Sequence, residues 1–303
     1  MLYCSWKWRV NVLIKQKQKN YIKFFLFIIL LIPLSAKANV VQDYNTYNKL
    51  LNLGFTNDEI KNMSVKEIEM NKNLNGTIIA KNIKYLKTDD YYVNDEIVLS
   101  ETTELTQNKY NNMNTDTKRS IQNGYIETSY KKLTTTIIST NSGYRYKVSL
   151  EWKTIPKHRG YDIIGIGINN DVYISSSFTF KQNYCYSNGN CSYSYECLPK
   201  ETSYGGAALF LLPSSNSINS LNSYLYFNIS KKVASSTLTR LEAYGDYSHN
   251  TKNISLNNAN TYNIYSNGIH ISSQYLNYYD EIGVAKAIWT GTWLIKYGNK
   301  DVL

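Results

Sequence analysis

The residues of this 303-residue chain that could do acid–base chemistry are its three histidines and several of its carboxylates. His158 lies four residues before Asp162, and a carboxylate beside an imidazole can orient the ring as an acid or a base. A cysteine could be imagined as the nucleophile of such a site. No spacing supports a triad, so the sequence favours a surface-loop histidine at position 158.

Paired carboxylates are the other candidate for catalysis, because glycoside hydrolases place two of them roughly 5–10 Å apart around the bond that they cleave. The acidic residues considered for such a pair are Glu151, Asp162, Asp171, Asp246, Asp280 and Glu281. Spacing along the chain does not show which of them meet. A secreted carboxylate-dependent hydrolase is therefore an alternative function, and no catalytic residue is assigned.

The chain lacks the familiar cofactor and metal motifs. Gly165-Ile-Gly167 has neither the third glycine nor the following helix of a dinucleotide fingerprint, and it fits a buried strand that another backbone approaches closely. No Walker A, HExxH, GxSxG or EF-hand pattern occurs. The C-x5-C-x5-C spacing lacks the close ligand pairs of a zinc site. The sequence predicts neither a cofactor nor a metal.

Residues 1–38 are predicted to be a signal peptide. Six Lys or Arg side chains precede the apolar run 24–32, and Ala36-Lys37-Ala38 supplies a small-x-small cleavage signal. The apolar run is shorter than the roughly 20 residues that span a bilayer. An uncleaved anchor is the alternative, and it would be the chain's attachment to a membrane. We therefore expect a secreted or cell-surface protein.

Export changes the meaning of the formal net charge of +10. Residues 1–38 carry seven of the 33 basic side chains and none of the 23 acidic ones, so the remaining chain has 26 basic against 23 acidic residues. Nucleic-acid binding requires clustered Lys and Arg. We therefore expect no nucleic-acid partner.

Export also permits a disulfide among the three cysteines that remain. A three-residue loop 187–189 with a left-handed Gly189 would place Cys185 opposite Cys191, whereas a two-residue Asn-Gly turn would place Cys185 opposite Ser192. The favoured bridge is Cys185–Cys191 with Cys197 free. A Cys191–Cys197 bridge is the next possibility.

Residues 39–76 are predicted to form a short helical element. Apolar side chains at helical spacing lead up to Gly54, a stop signal. Thr56-x-x-Glu59 has the pattern of a capping box, and Ser64-x-x-Glu67 repeats it. We expect two or three short helices that pack as a cap on the following domain.

From residue 77 apolar side chains recur at about every second position, as in β-strands. This pattern predicts a mainly β fold, an antiparallel β-sandwich-like domain over residues 77–303. In its clearest strand, apolar side chains alternate from Tyr144 to Trp152 and share one face, which should define the core. Residues 89–125 are expected to be exposed strands or loops. Further strands are predicted at 77–87, 161–168, 172–181, 206–212, 223–231, 235–247, 263–272 and 282–296.

Three segments resemble an uncharacterised group of secreted proteins from low-GC Gram-positive bacteria. They are GFTNDEIKNMSVKE at 54–67, YRYKVSLEWKTIPKHRGYDIIGIG at 144–167 and AIWTGTW at 287–293. The resemblance covers most of the chain after the leader and implies export. It brings no activity and no functional residues.

Aromatic side chains are the candidate binding residues, because the chain has 29 Tyr against 8 Phe and Tyr combines an apolar ring with a polar tip. The leading hypothesis is non-enzymatic binding at the cell surface, with a glycan, a wall polymer or another protein as partner. A pore-forming toxin is third, since the Ser/Thr-rich segment 133–140 could become a barrel strand, although its alternation is poor. The binding candidates are Tyr275, Tyr278, Tyr279, Trp289 and Trp293.

Overall fold

A computed structural model of the protein describes residues 43–113, 118–169, 177–230, 238–280 and 283–293. The signal-peptide prediction at 1–38 lies outside these residues. Residues 41–303 form one compact unit. Within the described part of the chain, no helix has the length and apolarity needed to cross a membrane.

Three short helices occupy the predicted helical element: α1 Tyr44–Asn52, α2 Asn57–Lys61 and α3 Val65–Asn71. The capping box is confirmed, because the Glu59 amide donates to Thr56 Oγ1 (3.2 Å) and the Thr56 amide donates to Glu59 Oε2 (2.7 Å). The chain leaves α1 at Gly54, whose φ of +80° favours glycine. At α3, Ser64 accepts from the Glu67 amide, but the Glu67 carboxylate turns away to other partners.

Fifteen strands follow among the described residues, and every strand pairing is antiparallel. The elements are β1 Gly76–Val93, β2 Glu96–Leu105, α4 Gln107–Asn111, β3 Lys118–Ile121, β4 Gly124–Thr140, β5 Gly143–Thr154, β6 Tyr161–Ile168, β7 Thr179–Tyr186, β8 Cys191–Ser194, β9 Leu198–Thr202, β10 Gly205–Leu211, β11 Ile218–Ser230, β12 Leu238–Ser248, α5 Leu256–Ala259, β13 Asn263–Tyr265, β14 Gly268–His270, a 3-10 helix Ser273–Tyr278 and β15 Gly283–Trp293.

Two sheets share the main core. The larger has the strand order β2-β1-β4-β5-β11-β7-β8 with β3 beside β4, and the smaller has the order β15-β12-β6-β10-β9. The apolar face of β5 is buried as predicted, from Tyr144 (3% exposed) to Trp152 (4%), and it packs with Ile164 and Ile166 of β6. The prediction of a mainly β, antiparallel fold is confirmed.

Residues 89–93, predicted to be exposed strand or loop, are strand, because β1 continues to Val93 while pairing with both β2 and β4. Asp90 and Tyr92 are buried there rather than exposed. One predicted strand differs from the structure. Residues 263–272 are not one strand. They form the β13–β14 hairpin, in which Gly268 has a φ of +119° that favours glycine. Residues 170–176 of the predicted strand 172–181 lie outside the described part.

The disulfide prediction is confirmed. Cys185 of β7 lies opposite Cys191 of β8 and is bonded to it, with a Cα–Cα distance of 4.0 Å. Gly189 has a φ of +82° in the intervening loop, as the three-residue turn requires. Cys197 is free and half-buried, and burial raises the pKa of its thiol to about 11.

Replacing Cys185 and Cys191 together by serine should lower the free energy of unfolding by about 2 kcal/mol, because a closed loop of this length restricts the unfolded chain only moderately. Urea unfolding of the oxidised protein measures the difference. As a matched control, Cys197→Ser breaks no bridge and should lower the value by no more than about 1 kcal/mol. An equal loss in the control would show that the bridge is not the cause.

Candidate functional site

A polar groove of about 490 Å³ runs across the outer face of the larger sheet. Its floor is a row of side chains on four neighbouring strands, Tyr85, Lys132, Glu151 and Asn222, which are successive cross-strand partners. They point outward because their neighbours along each strand, such as Leu133 and Leu150, are buried in the core. The sheet therefore presents aromatic, cationic, anionic and amide groups in one line.

The floor is organised by one contact within the row and by two contacts with neighbouring side chains. Lys132 forms an ion pair with Glu151, and Asn183 Nδ2 donates to Asn222 Oδ1 at 2.9 Å. The Tyr85 ring lies 4.8 Å, centroid to centroid, from the ring of Tyr110 in α4. These contacts hold the polar groups in place while leaving the Glu151 side chain 51% exposed.

A second row lies beside the first. Ile83, Thr134 and Ser149 are cross-strand partners on the same outer face and also line the groove. The groove is bordered by the segment from Leu51 to Glu59, at the junction of α1 and α2. It thus offers hydroxyl groups and a small apolar surface next to the charged row.

The helical cap is held on the sheet by buried ion pairs. Lys147 Nζ of β5 lies 2.9 Å from both carboxylate oxygens of Glu59. Glu67 accepts from Tyr224 OH (2.6 Å) and pairs with Lys181 Nζ of β7 (3.2 Å). All five side chains are buried. We call this set the buried ionic layer, and it fixes the cap that borders the groove.

Burial dominates the electrostatics of the buried ionic layer. It lowers the pKa of Lys147 and of Lys181, and the carboxylates of Glu59 and Glu67 offset part of that effect. Burial also lowers the pKa of Arg145, whose guanidinium lies 4.3 Å from the centroid of the Tyr226 ring. The alternation of β5 places Arg145 and Lys147 on the face opposite the core, but it does not reveal that the cap buries them.

The aromatic binding candidates lie elsewhere. Tyr279 is 6% exposed and belongs to a second, smaller core, which Tyr278 borders. Tyr275 and Tyr278 are half-buried and meet edge to face with centroids 5.9 Å apart. Trp289 is half-buried against the main core. The side chain of Trp293 lies outside the described part, and none of the other four residues lines the groove.

The carboxylate of Asp162 meets His249, not His158. His249 Nδ1 lies 3.0 Å from both Asp162 oxygens and its side chain is fully buried, while His158 Nε2 contacts Asn250 Oδ1 at 3.2 Å. Pairing of β12 with β6 brings position 249 next to position 162. Burial lowers the pKa of His249, but Asp162 and Asp280 more than offset it, so the pKa is raised.

The candidates Asp171 and Glu281 lie outside the described residues, and the other carboxylates considered below are also engaged. Asp246 is buried and accepts from the Ile269 amide, and burial raises its pKa well above the usual range. In the groove, Glu59 and Glu151 are both paired with lysines. Within the described ranges, no group of three or more His, Cys, Asp or Glu side chains is placed to hold a metal ion.

Comparison with known proteins leaves the family open. No protein-family model and no curated protein matches the chain. Among solved structures, AvmM, described as catalysing macrocyclization in alchivemycin A biosynthesis, is 10% identical with a TM-score of 0.25 over 54% of this chain and 85% of its own. The T6 backbone pilin of serotype M6 Streptococcus pyogenes is 9% identical with a TM-score of 0.25 over 72% of this chain and 63% of its own. Likenesses this weak carry no functional inference.

Proposed function

We propose that this protein is exported and binds a glycan of the cell surface, without catalysis, through the groove on the larger sheet. The observation that carries the proposal is the groove's floor, where a half-buried tyrosine ring stands in line with lysine, carboxylate and amide groups. The Cys185–Cys191 disulfide supports export, because such bonds persist in oxidising compartments.

The chemistry of the groove suits a sugar polymer. A sugar presents apolar C–H faces, which pack on an aromatic ring such as Tyr85, and hydroxyl groups, which exchange hydrogen bonds with amide and hydroxyl side chains such as Asn222 and Ser149. A binding pocket needs only a few convergent polar groups of this kind. Because the groove is open along the sheet, a chain of sugars can lie across it without an end entering a closed cavity.

Two binding experiments test the proposal. Residues 39–303 are labelled and applied to a glycan array and, separately, to purified cell walls in a pull-down assay. We expect retention by at least one class of glycan and release by the same free sugar. Clean negatives in both assays would contradict glycan binding.

Substitutions in the floor should weaken binding without unfolding the protein. Tyr85→Ala and Asn222→Ala are each expected to reduce the affinity for the identified glycan about tenfold, equivalent to about 1.4 kcal/mol, because each removes one contact from the row. Titration calorimetry measures the change. The matched control is Tyr204→Ala, since Tyr204 is 42% exposed and lies outside the groove lining. Equal losses in the control would place the binding surface elsewhere.

A further inference from the structure

Lys131 and Asp280 form an unusual pair inside the sandwich. Their side chains are in direct contact and both are completely buried. Lys131 lies on β4 at a bulge in its pairing with β5, and Asp280 follows the 3-10 helix, shortly before β15 of the smaller sheet. Removing two charges from water costs several kcal/mol for each ion, so a buried pair of this kind needs a compensating interaction.

Two aromatic rings flank the Lys131 side of the pair. Lys131 Nζ lies 5.3 Å from the centroid of the Trp152 ring and 5.5 Å from that of Tyr247. Condensation of the two groups requires an amine with a free lone pair beside a carboxylic acid. The pair reaches that form when one proton moves from Lys131 Nζ to Asp280 Oδ2 through their direct contact.

The two oxygens of Asp280 have different partners. Oδ1 accepts from the backbone amide of His249 at 2.8 Å, whereas Oδ2 faces Lys131 Nζ and lies 3.4 Å from Thr88 Oγ1. A fixed backbone donor on Oδ1 is positioned to stabilise negative charge that develops on that oxygen. Oδ2 is therefore the oxygen that would leave as water if this carboxyl group formed an amide.

We propose that Lys131 and Asp280 condense to form an intramolecular isopeptide bond. The Nζ lone pair attacks the Asp280 side-chain carbon, forming the C–N bond and pushing electrons onto Oδ1, where the His249 amide donates. A proton then passes from nitrogen to Oδ2, the C–Oδ2 bond breaks and one water molecule leaves. No oxidant, reductant or activated co-reactant is needed, because the products are an amide and water.

The relay of this proton falls to Asp90 because of its place on β1. It lies on the inner face of the strand, two positions after Thr88, whose Oγ1 is 3.4 Å from Asp280 Oδ2, and it is 4% exposed. Its Oδ1 accepts from Ser100 Oγ at 2.6 Å. Burial raises the pKa of Asp90, and the charge of Asp280 adds to the rise. A protonated carboxyl here can give a proton to Oδ2 and recover one from the nitrogen.

The bond would join β4 of the larger sheet to the segment that leads into β15 of the smaller one, across 149 positions of the chain. It would also replace two buried charges by a neutral amide. A covalent link between the two sheets limits local opening, on which proteolysis depends. The inference is independent of glycan binding, because it concerns the interior of the sandwich and not the groove.

Intact-mass spectrometry of residues 39–303, denatured and fully reduced, tests the bond. We expect the protein to be lighter than its sequence mass by one water molecule, and a tryptic digest to contain one branched peptide that joins position 131 to position 280. Lys131→Met and Asp280→Ala should each show the full mass of their sequences. Since mass does not depend on folding, these variants remain informative even if they are unstable.

Two results would overturn the bond. One is a wild-type protein, folded by circular dichroism, that has its full sequence mass. The other is a water loss that persists in Lys131→Met or Asp280→Ala, which would locate the dehydration elsewhere. Asp90→Asn is expected to fold and keep the full mass. Loss of water at the wild-type rate in that variant would overturn the role assigned to Asp90.

Discussion

Replacing Lys147 by methionine is expected to lower the free energy of unfolding by about 3–5 kcal/mol, because it leaves a buried charge without its partner. The Glu59 side chain is 3% exposed and lies between the cap and the sheet. Without the ammonium, its carboxylate must either stay ionised in apolar surroundings or take up a proton. Urea unfolding followed by tryptophan fluorescence measures the loss.

A second substitution separates the charge from the packing. Glu59→Gln in the Lys147→Met background removes the unpaired charge while its side-chain carbonyl can still accept from the Thr56 amide. The double variant should therefore recover most of the lost stability. A surface pair supplies the matched control, since Lys61 and Asp58 are 73% and 77% exposed. Lys61→Met should cost no more than about 1 kcal/mol, and a similar loss in both single variants would contradict the argument from burial.

Tyr146→Ala should lower the free energy of unfolding by about 3–5 kcal/mol, the range measured when large aromatic side chains are removed from cores. The ring is fully buried on the inner face of β5 and stacks on Phe227 of β11, with centroids 5.8 Å apart. Its removal leaves a cavity between the sheets. The same urea titration measures the effect.

Tyr146→Phe is the matched control for that cavity. The Tyr146 hydroxyl is buried and has no hydrogen-bond partner among the described residues, and burial raises its pKa far above the usual range. Replacing the hydroxyl by hydrogen should therefore be neutral or stabilising, since an unsatisfied polar group is costly to bury. A large loss in Tyr146→Phe would reveal a partner for the hydroxyl, and a small loss in Tyr146→Ala would contradict the central place of β5 in the core.

The bond proposed between Lys131 and Asp280 does not alter the stability losses expected for the two variants at position 146. Both variants at position 146 keep Lys131 and Asp280, so the proposed bond would be present in wild type and variants alike. A cross-link acts mainly on the unfolded chain, and its contribution would then largely cancel in the difference. The expected losses therefore refer to packing alone.

Structural features that depend on residues close together in the chain could be predicted from the sequence. Alternation from Tyr144 to Trp152 predicts a core strand because side chains of a strand point to opposite faces in turn. The spacing around Gly189 predicts the Cys185–Cys191 bridge because a three-residue loop sets the register of its hairpin. The capping box of Thr56 and Glu59 is equally local, since its two hydrogen bonds span three positions.

The candidate site could not be predicted in this way. Tyr85, Lys132, Glu151 and Asn222 are separated by up to 71 positions between adjacent members of the row, and only strand order and register bring them into line. Composition points to aromatic binding residues but does not reveal burial, and Tyr279 is in fact part of a core. His158 is near Asp162 in sequence, whereas His249 reaches Asp162 through strand pairing.

The sequence by itself therefore determined a mainly β chain, the positions of its capped helices, its principal core strand and its disulfide. Each depends on side-chain period or on turn geometry over a few residues, and the physical forces involved act locally. Tertiary structure alone decided which polar residues meet, whether Lys147 and Lys131 are buried or solvated, and where a groove stays open. Those outcomes depend on packing between segments far apart in the chain, for which no local pattern carries the information.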